Sequence, residues 1–365
     1  MKQKKNITNG ITVFFSSFFL VLNLLCIILL LVSAFGGMIN PERLSWLVSA
    51  TLAFPFLFGV TFLFMLSWLV VYSRKWLWSF FALVASALAL RDYCPVNVPQ
   101  PVPKGCIKVE TYNVYGFGGA SENTVEYKEM LEYLKNSDAN IFCAQETSYS
   151  EGRKKELEDA ISHWRYRDTV YVGTSFSGLT LCSDFPILNR HVTKSPSLGH
   201  ICAIYRLRVG HDTVVVVNSH FVSNAMNDDD KKAYREMILS PEEEHAKNDF
   251  MRLCSKVNRA GQKRAVQVDS LMDYLETLGD VPIIMCGDFN DSPLSYVHHR
   301  LTRKLNDAYI ASGNGPGISY YRSGMFFRLD NVLCSQHWRS FGAAVKSHYK
   351  MSDHYPLEVY LKRMK

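Results

Sequence analysis

Several apolar runs in this chain end abruptly in polar, titratable residues. The most specific is Gly287-Asp288-Phe289-Asn290-Asp291-Ser292-Pro293, which closes the run Val281 to Cys286. In extended chain, residues two apart point to one side. Asp288 and Asn290 therefore converge, while Phe289 packs the other way. A carboxylate that only accepts, beside an amide that donates, suits holding a water against a phosphorus centre. The plainer alternative is an Asx-rich turn after a strand. Ser352-Asp353-His354 pairs an imidazole with a carboxylate, a combination that works near neutral pH. Glu146, after Cys143-Ala144-Gln145, is a hard-oxygen ligand candidate for Mg²⁺, which needs only one or two carboxylates besides substrate phosphate. His220 follows Val217-Asn218-Ser219 as a candidate acid or phosphate donor, or a polar cap. Asp330 opens a strand in Arg328-Leu329-Asp330-Asn331, where a flanking salt bridge is the ordinary expectation.

Taken together, the order and spacing of these segments resemble the endonuclease/exonuclease/phosphatase superfamily. The motifs are Tyr112-Asn113, Gln145-Glu146, Asn218-Ser219-His220, Gly287-Asp288-Phe289-Asn290, Arg328-Leu329-Asp330 and Ser352-Asp353-His354. The resemblance covers residues 104–365. It implies a four-layer α/β/β/α sandwich of two mixed sheets with the site at one rim. It implies Mg²⁺ as cofactor, with Mn²⁺ as a substitute, held by Glu146 and Asp353 with Asn113 beside them. By the same resemblance Asp288 orients or deprotonates the attacking water, and Asn290 donates to phosphate oxygens. His354, held by Asp330, contacts phosphate, and His220 assists the leaving group or the phosphate. Abasic-site endonucleases carry an acidic residue two positions after the Asn. Tyr115 stands there, which argues against a repair nuclease. Tyr166 and Tyr171 are candidates for a phosphate-contacting tyrosine.

These residues need a scaffold. Ile107 to Tyr112 alternates as a strand, Ile141 to Ala144 is a short buried one, and Val214 to Val217 suits a strand covered on both faces. Ile201 to Val209, Leu179 to Cys182, Val281 to Cys286, Leu329 to Cys334 and Leu357 to Leu361 complete the expected strands. Helical spacing falls at Thr124 to Leu134, Glu151 to Trp164 and Arg264 to Leu278. Such alternation points to packed sheets with outer helices. A charged insertion over 224–264 carries Asp228-Asp229-Asp230 and Glu242-Glu243-Glu244. It reads as a solvated helical insertion or a cover near the site, since it follows His220.

The first ninety residues are different. The 365-residue chain is strongly apolar there, and residues 1–92 read as an α-helical transmembrane region. Apolar runs at 11–36 and 44–72 are each long enough to span a bilayer. A shorter third, 76–90, lies between Lys75 and Arg91, whose side chains can snorkel. Residues 93–105 form a Pro-rich spacer, and 106–365 the catalytic domain. Lys2, Lys4 and Lys5 precede the first run, and Arg74 and Lys75 separate the second from the third. The positive-inside rule places both on the cytoplasmic side. Three spans then set the catalytic domain on the outer, periplasmic face of a bacterial-type inner membrane. Two would keep it inside.

The net charge of +6 is mild and partly sits in the N-terminal lysines. A nucleic-acid groove needs a denser basic surface than Arg322 and Arg328 with Phe326 and Phe327 provide. The nine cysteines form no CxxC pair; only Cys94 and Cys106 flank a loop that a disulfide could close. The expected activity is metal-assisted attack of water on a phosphodiester or phosphomonoester, with the lipid bilayer as partner through the N-terminal helices. Two rivals stand beside it. One is an envelope nuclease acting on DNA or RNA. The other is an inert, membrane-tethered binding module, which the intact motif set opposes.

Overall fold

A computed structural model describes residues 2–119, 124–171, 178–193, 202–240 and 246–364, with side chains from residue 14 onward. Twelve strands form two six-stranded sheets. The first contains β1 (Ile107–Asn113), β2 (Ile141–Gln145), β3 (Tyr166–Val170), β4 (Leu179–Ser183), β11 (Trp338–Val345) and β12 (Leu357–Arg363), ordered β11-β12-β1-β2-β4-β3. The second contains β5 (Ile187–Thr193), β6 (Cys202–Val209), β7 (Asp212–His220), β8 (Ile283–Asp288), β9 (Asn306–Asp307) and β10 (Asp330–Cys334), ordered β5-β6-β7-β8-β10-β9. Both are mixed, with β1–β2 and β7–β8 the parallel pairs.

Burial patterns show why these runs become strands. In β7, Val214 and Val216 face the core between the sheets, while Val215 and Val217 face the outer helices. In β8, Ile284 and Cys286 point inward and Ile283 and Met285 outward. A strand buried on both faces has no need of polar alternation. Each fully buried Val or Ile side chain contributes about 1.5–3 kcal/mol.

The outer layers are helical. Over the first sheet lie α6 (Tyr115–Gly118, a distorted turn), α7 (Val125–Asn136) and α8 (Lys154–Ala160). Met130, Leu134 and Leu157 pack there against Phe142 and the fully buried Trp164. Over the second lie α10 (Ala246–Thr277) and α11 (Tyr296–Thr302), with α9 (Asp228–Leu239) packed on α10, while α12 (Ala308–Ser312) packs on β11 and sends Ala308 and Tyr309 into the core between the sheets. Val268, Leu271, Met272 and Leu275 of α10 cover β7 and β8. The expected four-layer α/β/β/α sandwich is therefore present.

Two boundaries differ from expectation. The helix expected from Arg264 begins at Ala246, so the charged insertion is α9 plus half of a 32-residue helix. An Asn227 capping box starts α9, whose three leading aspartates suit a helix N-terminus. Glu242-Glu243-Glu244 and Ile201 lie outside the described residues. The helix expected over Glu151 to Trp164 ends at Ala160, after a 3-10 turn, Glu151–Arg153.

The N-terminal region is a helical bundle. It comprises α1 (Lys2–Phe35), α2 (Trp46–Leu52), α3 (Phe54–Val70), α4 (Trp76–Ala85) and α5 (Ala87–Tyr93). Among the described residues, Phe14–Met38 is long and apolar enough to cross a membrane. The second run is bent by 58° between α2 and α3, with Pro55 near the bend, and passes the same test only if the pair is one span. The third run is broken at Ser86 into α4 and α5. At one end of the bundle Lys75 Nζ donates to Ser16 Oγ at 2.7 Å and stands over the Trp68 ring. At the other end Phe54 packs against the Tyr93 ring.

That second end docks on the sandwich. The 3-10 turn Gly36–Met38 packs on α11, and α2 packs on α10. Leu294 joins Leu30, Ala34, Phe54 and Ala89 in one apolar cluster. Val48 lies against Gly261, and Ser49 N donates to Asn258 Oδ1 at 3.0 Å. The spacer is tied down as well: Asn97 Nδ2 donates to the carbonyls of Ile310 and Gly313. Cys94 and Cys106 are free thiols.

Candidate active site

Register places the site. In the second sheet His220 pairs with Asp288 across β7–β8, and Asp288 with Asp330 across β8–β10. Three titratable residues thus stand in one row across neighbouring strands. In the first sheet Asn113 pairs with Gln145, so Glu146 follows directly at the same rim. The two rims are bonded together. Asn113 Nδ2 donates to Asp288 Oδ2 at 3.1 Å and to Glu146 Oε1 at 3.0 Å. Beneath them Gln145 Nε2 donates to Asn218 Oδ1 at 2.8 Å, and Asn218 Nδ2 donates to the Ala144 and Thr180 carbonyls.

Asp288 is the centre. Its Oδ2 lies 3.8 Å from His220 Nε2 and 3.7 Å from His354 Nε2. Its Oδ1 accepts the Asn290 backbone N–H at 2.8 Å. Gly287 permits this crossing: at φ 144°, a Cβ there would meet the Ser219 carbonyl oxygen at 1.9 Å. His354 Nδ1 and Asp330 Oδ2 share a 2.6 Å hydrogen bond, which fixes the ring and aims Nε2 at Asp288. Ser352 Oγ donates to the Asn113 carbonyl at 2.7 Å and accepts the His354 N–H, anchoring this segment to β1.

Electrostatics follow from burial. Desolvation pulls the His354 imidazole down, but the carboxylates of Asp330, Asp288 and Asp353 more than reverse it, and its pKa stands well above the ordinary histidine value. Burial pushes the Glu146 carboxyl up; His220 and Asn113 partly offset this, and Asp353 adds to it. Glu146 and Asn290 both hold positive φ, 55° and 52°, conformations that non-glycine residues keep only when surroundings enforce them.

All eight expected residues gather here: Asn113, Glu146, His220, Asp288, Asn290, Asp330, Asp353 and His354. One relationship differs from expectation. The strand ends at Asp288, and the turn to positive φ at Asn290 removes the two-apart alternation. Asn290 Nδ2 donates to the Phe221 carbonyl at 3.0 Å, tying the end of β7 to the end of β8. Of the two candidate tyrosines, Tyr171 is exposed beside Thr147 and Gly178 near the rim. Tyr166 pairs with Ser183 at the opposite end of its strand.

Three contributors escaped the sequence reading. Tyr320 packs edge-on against His354 with ring centroids 5.1 Å apart. Ser319 Oγ accepts the N–H groups of Leu329 and Asp330. Buried Arg264, from α10, bonds Asp291 Oδ2 at 2.8 Å and also the Val222 carbonyl and Asn224 Oδ1. It clamps the loops that follow His220 and Asn290. None sits in a motif; Tyr320 and Ser319 lie in a glycine-rich stretch, and Arg264 in an ordinary helix.

The donor set suits a hard divalent cation. Four carboxyls, from Glu146, Asp288, Asp330 and Asp353, crowd one rim, where burial and then the neighbouring Asp353 raise Glu146. Glu146 and Asp353 offer oxygen ligands, as Mg²⁺ demands. Asn113 Oδ1 accepts only the Tyr115 N–H among the described contacts, at 3.1 Å. Asp288, Asp330 and His354 also present ligand atoms within 4.8 Å of one another. There the short Asp330–His354 bond occupies Nδ1, so this trio is built to orient an imidazole.

The endonuclease/exonuclease/phosphatase family model matches residues 111–354. A domain family of unknown function matches residues 16–93. The solved endonuclease/exonuclease/phosphatase from Beutenbergia cavernae is 15% identical, with a TM-score of 0.51 over 71% of this chain and 72% of its own. Caenorhabditis elegans TDP2 is similar at 15% identity and TM-score 0.49, over 72% of this chain and 99% of its own. The human Nocturnin catalytic domain is similar at 16% identity and TM-score 0.49, over 74% and 96%. The first of these likenesses shows the fold. No curated protein matches the chain.

Proposed function

This chain belongs to the endonuclease/exonuclease/phosphatase family, hydrolases of phosphoester bonds, and we propose that it is a membrane-anchored, divalent-metal-dependent member acting on a lipid-borne or small-molecule phosphoester. The observation that carries the chemistry is the convergence of Asn113, His220 and His354 on the Asp288 carboxylate.

In this reading Glu146 and Asp353, with Asn113 beside them, hold Mg²⁺ or Mn²⁺. Such an ion neutralises charge developing on phosphoryl oxygens. Asp288 orients the attacking water and takes its proton. His354, kept cationic by its carboxylate neighbours and aimed by Asp330, steadies the phosphoryl oxygens. His220 assists the leaving group from the opposite side of Asp288. Asn290 supplies an amide donor, with one hydrogen already on Phe221.

The anchor reading draws on the bundle. Even if straight through the break at Ser86, the stretch from Lys75 to Tyr93 rises at most about 27 Å at 1.5 Å per residue, against a hydrocarbon core of about 30 Å. Phe14, Phe18, Phe56, Leu63, Phe81 and Leu88 face outward, an apolar exterior suited to lipid. The sandwich docks at the end away from Lys75, so the positive-inside rule favours an outward-facing domain. A non-nucleic substrate is favoured because Arg328 is buried, bonded to the Asp92 carbonyl and stacked over Tyr309. It offers nothing to a polynucleotide.

The test is a substrate panel on the full chain in detergent with Mg²⁺ or Mn²⁺: phospholipids, sugar and inositol phosphates, a chromogenic phosphodiester, DNA and RNA. Turnover of a phosphoester that is lost in Asp288→Ala and His354→Ala is expected. A folded, metal-loaded protein inactive on the whole panel would overturn the reading. Turnover confined to DNA or RNA would replace it with the envelope nuclease. A reporter fused after Lys365 and active only in the cytoplasm would reverse the orientation.

A further inference from the structure

The long helix α10 does two jobs. Its C-terminal half covers the second sheet, and its middle seats on α2 at the docked end of the bundle. That seat is a strip at helical spacing. Cys254 and Asn258 meet Ser49, and Gly261 meets Val48. One turn further toward the N-terminus the same strip reaches Met251, beside Phe250. Beyond the seat these side chains are largely exposed: Met251 is 62% exposed and Phe250 51%. At the adjoining end of α9, Ile238 and Leu239 are 56% and 70% exposed. Four large apolar side chains are thus exposed at the end of α9 and the start of α10. Exposed Lys247 opens the same stretch of α10. Exposed apolar side chains at a helix end suit a helix resting in a lipid headgroup layer.

The pair also reaches the catalytic rim. α9 packs on the 3-10 turn Arg322–Gly324, next to Tyr320, and Arg264 of α10 holds the loops after His220 and Asn290.

We propose that the end of α9 and the start of α10 rest in the headgroup layer of the bilayer that holds the bundle, through Ile238, Leu239, Phe250 and Met251, and so form a lipid-contacting wall of the active site. The proposal rests on the membrane anchoring proposed above. The surface continues the bundle–sandwich interface outward from α2, and what surrounds an anchored bundle there is lipid. A helix pair that touches both lipid and the turn beside Tyr320 sets the height of the cleft above the headgroups. A phosphoester carried on a lipid then needs little extraction to reach Asp288.

The test uses the full chain in vesicles of phosphatidylcholine and phosphatidylglycerol, with and without brominated lipid. Phe250→Trp and, separately, Leu239→Trp add one indole each. The wild-type spectrum is subtracted to leave the added signal, and turnover of a soluble phosphodiester is followed on the same samples. The added indoles are expected to emit at short wavelength and to lose most of their intensity to brominated lipid. The native Trp76 and Trp78 of α4 serve as the internal control. If native emission is quenched while both added indoles stay water-like and yield to aqueous acrylamide, the wall is overturned and the anchor stands. If native emission is not quenched, the anchor falls and the wall with it. The soluble-substrate rate reports the phosphoesterase chemistry independently of both.

Discussion

A side chain on Gly37 would place its Cβ 1.9 Å from the carbonyl oxygen of Leu294. Backbone meets backbone there, with no flexible side chain to give way. Leu294 lies four residues past Asn290, in the loop that Arg264 clamps through Asp291, and its own side chain plugs the bundle. The apolar N-terminal region is therefore attached to the catalytic rim itself, through the loop that leaves Asp288.

Gly37→Val should wedge the Gly36–Met38 turn away from Leu294 and shift that loop. Displacing reacting groups by about 1 Å costs about 100-fold in rate. The expected outcome is such a fall in kcat on a soluble phosphodiester, with the melting of the sandwich little changed. Wild-type kcat in the variant would show that the docking does not bear on the rim.

Asp330→Asn removes the carboxylate that aims His354 while keeping its shape. Losing a donor that steadies charge on transition-state oxygens typically costs about 10²–10³-fold. The loss should appear in kcat rather than KM, because the Asp330 side chain is fully buried behind the imidazole. Asp330→Glu, which restores the charge at a different reach, should recover part of it. Equal rates for wild type and Asp330→Asn would remove Asp330 from the machinery.

Arg264 and Asp291 form a buried ion pair with side chains 1% and 6% exposed. Breaking such a pair by removing one partner costs about 3–5 kcal/mol, because the other charge stays buried alone. Arg264→Met should lower thermal stability accordingly. Adding Asp291→Leu should return much of it, since an apolar pair leaves no orphan charge. Calorimetry of the three proteins decides; an undiminished melting temperature in Arg264→Met would mean the pair contributes little.

Much of this was legible in the residues because the chemistry sits at strand ends, where apolar runs stop on polar groups. Asp288, His220 and Glu146 each close a β-run, so type and place coincide. What escaped lacked that signal. β11 is interrupted by an irregularity between Phe341 and Ala344, and β5 is an exposed edge, so neither shows a clean buried run. Arg264 looks like any helix cation until the fold buries it. Asn290 stands out by its identity but not by its conformation, since strand alternation stops at a positive φ that no local pattern announces. The seating of the bundle on Leu294 was invisible for a different reason. Gly37 and Leu294 are brought together only by tertiary packing, and neither residue type signals the contact.

Glu110 supplies a test far from the rim. It is 4% exposed and bonded to Ser137 Oγ at 3.1 Å. Burial raises its pKa from 4.5 to about 7, although Lys108 and Ser137 pull the other way. The folded-state value thus lies above the unfolded one. Between them the folded chain keeps a proton that the unfolded chain has released, so stability is greatest at low pH in this window and falls as pH rises to about 7. At 1.36 kcal/mol per unit the decline approaches about 3 kcal/mol. Glu110→Gln cannot ionise, so the variant should lose this slope, with the two proteins converging below the unfolded value of 4.5 and the variant gaining on wild type as pH rises to about 7. Thermal melts of both proteins across that range measure it, and parallel curves would show that the Glu110 proton plays no part.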